Sequence, residues 1–318
     1  MALSETTKAG IVRRFDASRD DRAKTIFNAL QGRMSGEDGR RALLIKEGFP
    51  ADEAAAIAAG NETVIAALDR ERFCKAKEFI PRSDYAPINF LQLGCDVSRV
   101  VGRLVDGNGA ADGTAFMISK RLLMTASHAI ATPEVAAARF VQFDYEMKPD
   151  GTPRTATMNA LAPEVFFHTN TSDSLDYTIV ALSDPLASDV APCALPSMTR
   201  RHRVESYVNI IQHPFGGRKR VVVRENRVLC VPGDFLYYMA DTDEGSSGSP
   251  VFNDNWQLVG IHRYGTSRRA LELPSKMLYP DAVGEGVSIK VIVEDLNANV
   301  LPNLDEGRQA LLLEALGS

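Results

Sequence analysis

Long apolar runs are absent from this sequence of 318 residues. Nothing in it approaches the roughly 18 consecutive apolar residues that a membrane-spanning helix requires. The first twenty residues are rich in charge and hold no apolar core, so we do not expect a secretory signal. These two absences predict a cytoplasmic protein that does not insert into a membrane.

Cysteine is also scarce. The sequence has four, which lie far apart in apolar segments: Cys74, Cys95, Cys193 and Cys230. Their spacing is not that of metal ligands, and no other cluster suggests a metal or an organic cofactor. We therefore predict buried free thiols and no cofactor.

An excess of positive charge is lacking as well, because the formal net charge is −5. One basic run, Arg218–Arg220 with Arg224 and Arg227 beyond it, alternates with valines and contains no aromatic residue. Nucleic-acid surfaces combine basic residues with stacking aromatics or a basic overall charge. The run therefore indicates a hairpin with a solvated charged turn, and no nucleic-acid partner is expected.

The most distinctive segment that is present contains Ser247, with Gly245 two residues before it and Gly248 directly after it. Glycines at these positions allow a tight turn and a close approach of the backbone to a reacting carbonyl group. A serine nucleophile whose neighbouring N–H groups stabilise an oxyanion needs such a turn.

A nucleophilic serine also needs a base, and the sequence has only five histidines. His128 follows two short apolar segments separated by a polar turn, which predicts a hairpin that delivers the imidazole from the end of a buried strand. Asp176 begins the apolar run 176–182, where a carboxylate is costly unless it is paired. We therefore expect Asp176, rather than the loop residue Asp173, to orient the His128 ring.

Three motifs resemble the active-site motifs of the trypsin-like serine peptidases: TASH at residues 125–128, DYTIV at 176–180 and GSSGSP at 245–250. They occur in the chymotrypsin order of histidine, aspartate and serine. The serine motif is similar to that of the bacterial branch that includes the staphylococcal glutamyl endopeptidase. The resemblance covers roughly residues 90–297.

The resemblance implies a mainly β fold, with two antiparallel six-stranded β-barrels of the chymotrypsin type and a cleft between them. It also implies a role for each motif residue. Ser247 is the expected nucleophile, His128 the general base and Asp176 the orienting acid, while the N–H groups of Gly245 and Ser247 form the oxyanion hole. Ser246 stands where trypsin-type zymogens carry aspartate, so activation by cleavage and insertion of a new N-terminus is not expected.

Substrate specificity has two interpretations. By resemblance to the glutamyl endopeptidase, Thr242 and His262 face the first specificity pocket and donate hydrogen bonds to an acidic side chain at the cleaved position, P1. Asp241 stands close to the position of trypsin's pocket aspartate and indicates lysine or arginine at P1 instead. The two are compatible if Asp241 pairs with His262 and keeps it protonated. We favour an acidic P1 residue.

Residues 1–80 have a different pattern, with capping residues, helical spacing of apolar residues and glycine stops. They predict a small bundle of about four short helices, interpreted as a recruitment or regulatory domain that binds a protein partner. Residues 81–90 are the expected linker, residues 91–297 the peptidase domain, and residues 298–318 a helical tail.

The sequence thus predicts an intracellular, regulated serine endopeptidase that acts on protein or peptide substrates. Two other classes stay open at this point. The chain could be a catalytically latent adaptor that keeps the fold and only binds peptides, or an esterase that uses the same three residues.

Overall fold

The computed structural model describes residues 6, 9–10, 13–14, 36–46, 48–61, 63–64, 67–68, 86–186, 191–195, 206–223, 226–231, 233–267 and 282–317. The chain divides into two compact units. One contains Asp20–Pro87, and the other contains Met1–Arg19 together with Ile88–Ser318. The first nineteen residues therefore group with the β-rich unit rather than with the helical region predicted for residues 1–80.

The smaller unit contains two described helices, α1 (Gly36–Lys46) and α2 (Ala51–Ala58). Both begin and end close to the predicted signals: Gly48 and Gly60 follow them with φ of +92° and +77°. Leu44, Phe49 and Ile57 are buried in a small core of their own. Residues 15–35 of the predicted bundle lie outside the described residues.

The larger unit is mainly β, as predicted from the resemblance to the chymotrypsin fold. Helix α3 (Asn89–Ser98) precedes two antiparallel sheets. Each sheet has seven strands, close to the six expected for each barrel.

The first sheet has the order β5-β4-β1-β2-β3-β7-β6. Its strands are β1 (Val101–Asp106), β2 (Ala111–Met117), β3 (Leu122–Thr125), β4 (Arg139–Phe143), β5 (Thr157–Ala160), β6 (Phe167–Asn170) and β7 (Tyr177–Ala181). All side chains of β3 and β7 are buried. The two strands that lead to His128 and follow Asp176 are therefore neighbours in the centre of the core.

The second sheet has the order β10-β11-β14-β13-β12-β8-β9. Its strands are β8 (Asn209–Gln212), β9 (Arg220–Val222), β10 (Val228–Cys230), β11 (Phe235–Tyr238), β12 (Pro250–Phe252), β13 (Leu258–Ser267) and β14 (Ala282–Ser288). The serine motif immediately precedes β12. The pairing shifts register between His262 and Tyr264 of β13, which marks a β-bulge at Arg263.

Further helices close the unit: α4 (Pro133–Ala137), α5 (Ile289–Asp295) and α6 (Glu306–Leu316). Leu312, Ala315 and Leu316 of α6 are buried in the same core as the strands. The segment predicted as a separate tail, 298–318, is therefore part of the packed unit. Asp305 caps α6 through the Arg308 N–H at 3.0 Å, and Gly317 ends it in the left-handed conformation.

The predicted linker at residues 81–90 also needs correction at its C-terminal end. Helix α3 begins at Asn89, and the Phe90 carbonyl accepts a hydrogen bond from Trp256 Nε1 at 2.7 Å. Gly94 lies so close to the indole that a Cβ there would be 2.5 Å from it. Residues 81–85 lie outside the described residues.

The basic run forms the predicted hairpin, because β8 pairs with β9. Its turn is not fully solvated, however. Lys219 Nζ lies 2.9 Å from Glu146 Oε2 and donates to the Ser98 carbonyl at 2.8 Å, with 5% of the side chain exposed. No local pattern predicts this pairing, because Glu146 is 73 residues away along the chain.

Two cysteine side chains are described. Cys193 is a buried free thiol, as predicted, and burial raises its pKa to about 12. Cys95 is free but exposed on α3, contrary to the prediction. Cys74 and the side chain of Cys230 lie outside the described residues. Within the described part of the chain, no helix is both long enough and apolar enough to cross a membrane.

Candidate active site

The turn before β12 presents Ser247, and its two glycines are required sterically. Gly245 and Gly248 have φ of +89° and +84°, which L-residues with a side chain rarely adopt. A Cβ on Gly248 would clash with the Thr114 carbonyl oxygen, and one on Gly245 would lie 2.6 Å from that of His213. Thr114 also fixes the turn, because its hydroxyl donates to the Gly245 carbonyl and its N–H to that of Ser247.

Asp176 contacts His128, as the burial argument predicted. His128 Nδ1 lies 2.8 Å from Asp176 Oδ2. The other carboxylate oxygen accepts hydrogen bonds from the Ser127 hydroxyl at 2.8 Å and from the His128 N–H at 3.1 Å. Asp176 has φ of +53°, an unusual backbone conformation directly before β7. The rival, Asp173, is exposed in the loop.

The Asp176 carboxylate is fully buried, yet its pKa is lowered. Burial alone would raise this pKa. The hydrogen bond and charge of His128, the positive charge of Arg263 and the Ser127 hydroxyl together outweigh burial and favour the ionised form. The structure therefore holds an ionised carboxylate against the imidazole.

Arg263 is the functional-site neighbour that sequence reasoning missed. Its Nε lies 3.0 Å from Asp176 Oδ2, the same oxygen that contacts His128. Its two other nitrogens donate to Glu285 Oε1 at 3.0 Å and to the Ser172 carbonyl. Only 2% of the Arg263 side chain is exposed. The β-bulge in β13 changes the direction in which the Arg263 side chain points. No sequence pattern signals this bulge, so the contact with Asp176 could not be predicted.

Ser247 and His128 line one cleft of about 650 Å³. The Ser247 hydroxyl donates to the Arg263 carbonyl at 3.2 Å, and no hydrogen bond joins it to His128 among the described residues. Tyr264 stacks on the His128 ring, with centroids 4.8 Å apart and planes at 16°. In the part of the chain that the structure describes, no protein acceptor takes the backbone N–H groups of Gly245 and Ser247.

Of the three residues predicted to determine substrate specificity, the structure brings two together in the cleft. Thr242 and His262 both line the cleft, whereas Asp241 is exposed and is not among the lining residues. His262 Nδ1 lies 2.7 Å from the Tyr238 hydroxyl, and burial lowers the pKa of the imidazole to about 3. The structure does not support the condition that Asp241 pairs with His262 and keeps it protonated, because Nδ1 lies against the Tyr238 hydroxyl and burial favours the neutral ring.

Other charged groups surround the cleft. Asp112, Asp243 and Glu244 line it together with Arg139, which pairs with Asp112. Among the described residues, no group of three or more histidine, cysteine, aspartate or glutamate side chains could hold a metal ion. His213 is buried with Nδ1 2.9 Å from the Gly217 carbonyl, and burial lowers its pKa to about 3.

Comparisons with known proteins identify a recognised domain in part of the chain. Residues 113–261 match the model of the trypsin-like peptidase domain. The uncharacterized protein y4fB of Sinorhizobium fredii (strain NBRC 101917 / NGR234) is 34% identical over 212 residues, which are 61% of this chain and 32% of the relative. The chain thus spans about a third of the length of that curated relative.

A solved structure titled "Crystal structure of Deg5" is similar with a TM-score of 0.46 and 13% identity. The match covers 65% of this chain and 93% of that chain. The similarity to the glutamyl endopeptidase branch stays a prediction.

Proposed function

We propose that this protein is a serine endopeptidase that hydrolyses peptide bonds through an acyl-enzyme, with Ser247 as nucleophile. The observation that carries the proposal is the contact of the buried Asp176 carboxylate with Nδ1 of His128, a residue that lines the same cleft as Ser247. A carboxylate on Nδ1 fixes the tautomer whose Nε2 accepts a proton from serine. The match of residues 113–261 to the trypsin-like peptidase domain supports the same reaction class.

The reaction starts with a rotation of the Ser247 side chain. Its hydroxyl leaves the Arg263 carbonyl and gives its proton to His128 Nε2 as Oγ attacks the substrate carbonyl carbon. The N–H groups of Gly245 and Ser247 stabilise the resulting oxyanion. The His128 imidazolium then protonates the leaving amine, and the acyl-enzyme forms. Water, deprotonated by His128, releases the acid product in the second half of the cycle.

We propose an acidic P1 residue, glutamate. The sequence argument allowed for a protonated His262, whereas the present argument uses a neutral one. A neutral His262 whose Nδ1 accepts the Tyr238 hydroxyl carries its proton on Nε2. This N–H and the Thr242 hydroxyl are donors for a side-chain oxygen of the substrate. A neutral pair of donors also accepts glutamine, so the proposal predicts that glutamine is the nearest competitor. The basic alternative depends on Asp241, which lies outside the cleft lining.

The test is a positional scan of fluorogenic tetrapeptides with the full chain and with Ser247→Ala. Cleavage after glutamate or glutamine that disappears in the variant supports both parts of the proposal. Cleavage after lysine or arginine would transfer specificity to Asp241 and leave the reaction class intact. Activity that survives Ser247→Ala would refute the nucleophile.

A catalytically latent form is the second candidate, favoured by the Ser247 hydroxyl bonding to the Arg263 carbonyl instead of His128. Labelling with a fluorophosphonate separates the two: a latent protein that cannot activate Ser247 is not labelled. A comparison of ester with peptide substrates at equal concentration separates an esterase from a peptidase.

We further propose that residues 20–87 bind a protein partner or regulator, since they form a compact unit of their own. Pull-down and activity of a chain with this unit replaced by a Gly/Ser linker test that role. The cytoplasmic location stays a prediction that cell fractionation checks.

A further inference from the structure

A line of four alternating charges leads from the N-terminal segment to the candidate catalytic base. Asp176 contacts Arg263, Arg263 contacts Glu285, and Glu285 contacts Arg14, with N···O distances of 3.0, 3.0 and 2.9 Å. His128 lies at the end of the line, 2.8 Å from Asp176. The side chains of Asp176 and Glu285 are fully buried and that of Arg263 is 2% exposed, whereas that of Arg14 is 23% exposed.

Neutral groups hold Arg14 in place as well as the charge of Glu285. Its Nε donates to the Tyr237 hydroxyl at 3.1 Å, and Tyr237 in turn donates to Glu285 Oε2. The guanidinium lies over the Phe235 ring, 3.9 Å from its centroid. Arg14 precedes the region that matches the peptidase domain by 99 residues, yet it belongs to the same compact unit.

The charge balance of the line depends on Arg14. With it, two carboxylates face two guanidinium groups. Without it, Asp176 and Glu285 compete for the single guanidinium of Arg263 in a buried site, where an uncompensated charge is costly. Glu285 then draws Arg263 away from Asp176, and this change alters the contact that orients Asp176.

We propose that Arg14 is a positioning residue of this enzyme, which through Glu285 and Arg263 holds Asp176 and hence His128 in reactive geometry. The inference rests on the proposed function. It means that a residue of the N-terminal segment completes a site whose reacting groups all lie in the β-rich region.

The test compares Arg14→Met, Arg14→Lys and Arg13→Ala in the full chain. Methionine keeps an apolar stem over Phe235 but removes the charge, and lysine keeps the charge. Arg13 is the matched control, because it is in the same segment and its Nε donates to the Ala9 carbonyl. Arg14→Met is expected to lower kcat about 10-fold, equal to about 1.4 kcal/mol of transition-state stabilisation, with KM nearly unchanged. Arg14→Lys should restore most of the loss, and Arg13→Ala should match the wild type.

A double-mutant cycle tests whether Arg14 acts on the site through Glu285. In a Glu285→Gln background the charge that Arg14 balances is gone, so Arg14→Met should have little further effect on kcat. An equal loss in both backgrounds would overturn the path through Glu285. The inference would be overturned altogether if the Arg14→Met and Arg13→Ala variants had the same kcat and the melting temperature of Arg14→Met were unchanged.

Failure of the proposed function is recognised separately. It appears as absence of fluorophosphonate labelling at Ser247 and of peptide cleavage in the wild type. The positioning inference still has a readout in that case: the NMR signal of the His128 imidazole N–H that faces Asp176. This signal should shift or broaden in Arg14→Met and stay unchanged in Arg13→Ala. An unchanged signal in both variants would refute the inference.

Discussion

At the scale of single residues, several groups of the candidate site converge on the Asp176 carboxylate. His128 and Arg263 share one of its oxygens, and Ser127 and the His128 backbone share the other. Such a set of donors leaves the carboxylate one orientation and one protonation state. Because the pKa of Asp176 lies below its usual range, the carboxylate stays ionised throughout the pH range in which a neutral imidazole acts as base.

Asp176→Asn tests this role. An amide leaves the wrong imidazole tautomer, and in serine peptidases this change lowers kcat by about 10⁴-fold. We expect a loss of that order in hydrolysis of the best tetrapeptide, together with a lower melting temperature because Arg263 loses a counter-charge. Asp173→Asn, in the exposed part of the same loop, is the matched control and should retain wild-type kcat. Equal losses in the two variants would contradict the assignment of the orienting acid.

The pairing of His128 with Asp176 could be predicted from sequence for two reasons. Each residue lies beside an apolar segment that indicates a buried strand, and a carboxylate there needs a partner. The motifs around both residues also resemble those of the trypsin-like peptidases. The contacts of Arg263 and Glu285 could not be predicted. Both look like ordinary polar residues of an alternating strand, and Arg263 reaches Asp176 across 87 positions. The neutral state of His262 also escaped prediction, because burial lowers the pKa of its imidazole and the local sequence does not determine that burial.

At the scale of structural elements, contacts from both sheets constrain the serine turn. It lies between the two sheets, where the Gly248 N–H donates to the His262 carbonyl at 2.8 Å and the Ser247 carbonyl accepts from Thr114. The strands that lead to His128 and follow Asp176, the hairpin of the basic run, the serine turn and the helical C-terminal segment followed from local pattern. The burial of α6 and the place of the first nineteen residues did not, because contacts with distant strands determine both.

Gly248→Ala tests the constraint on the turn. The new Cβ adds a steric clash with Thr114 to the cost of a positive φ, so we expect the free energy of unfolding to fall by at least about 2 kcal/mol. Gly151→Ala is the control, since Gly151 has φ of +78° but a Cβ added there would have nothing within 4 Å. Strain alone, about 1 kcal/mol, is expected at that position. Urea unfolding of both variants measures the difference, and equal losses would contradict a tightly packed turn.

At the scale of the whole molecule, neutral histidines buried in the β-rich unit make stability depend on pH. Burial lowers the pKa values of His213 and His262 to about 3 in the folded protein, against a reference value of 6.5. Burial also lowers the pKa of His168. The unfolded chain therefore binds more protons than the folded one as the pH falls through 6.5, and stability is lost from there down to about pH 3. Protonation of Asp176 adds to this loss only at the acidic end of the window.

The expected size of this effect follows from the two fully buried rings. Between pH 7 and pH 5 each should reduce the free energy of unfolding by about 2 kcal/mol, measured by urea denaturation at the two pH values. His213→Asn removes one titrating group while its amide can still donate to the Gly217 carbonyl, so the difference between pH 7 and pH 5 should shrink to about half. A wild-type protein equally stable at both pH values would show that these rings are protonated or solvated in the folded state. An unchanged pH dependence in His213→Asn would assign the loss to other groups. The same loss of stability would limit the acid side of the activity profile, before the ionised Asp176 is itself neutralised.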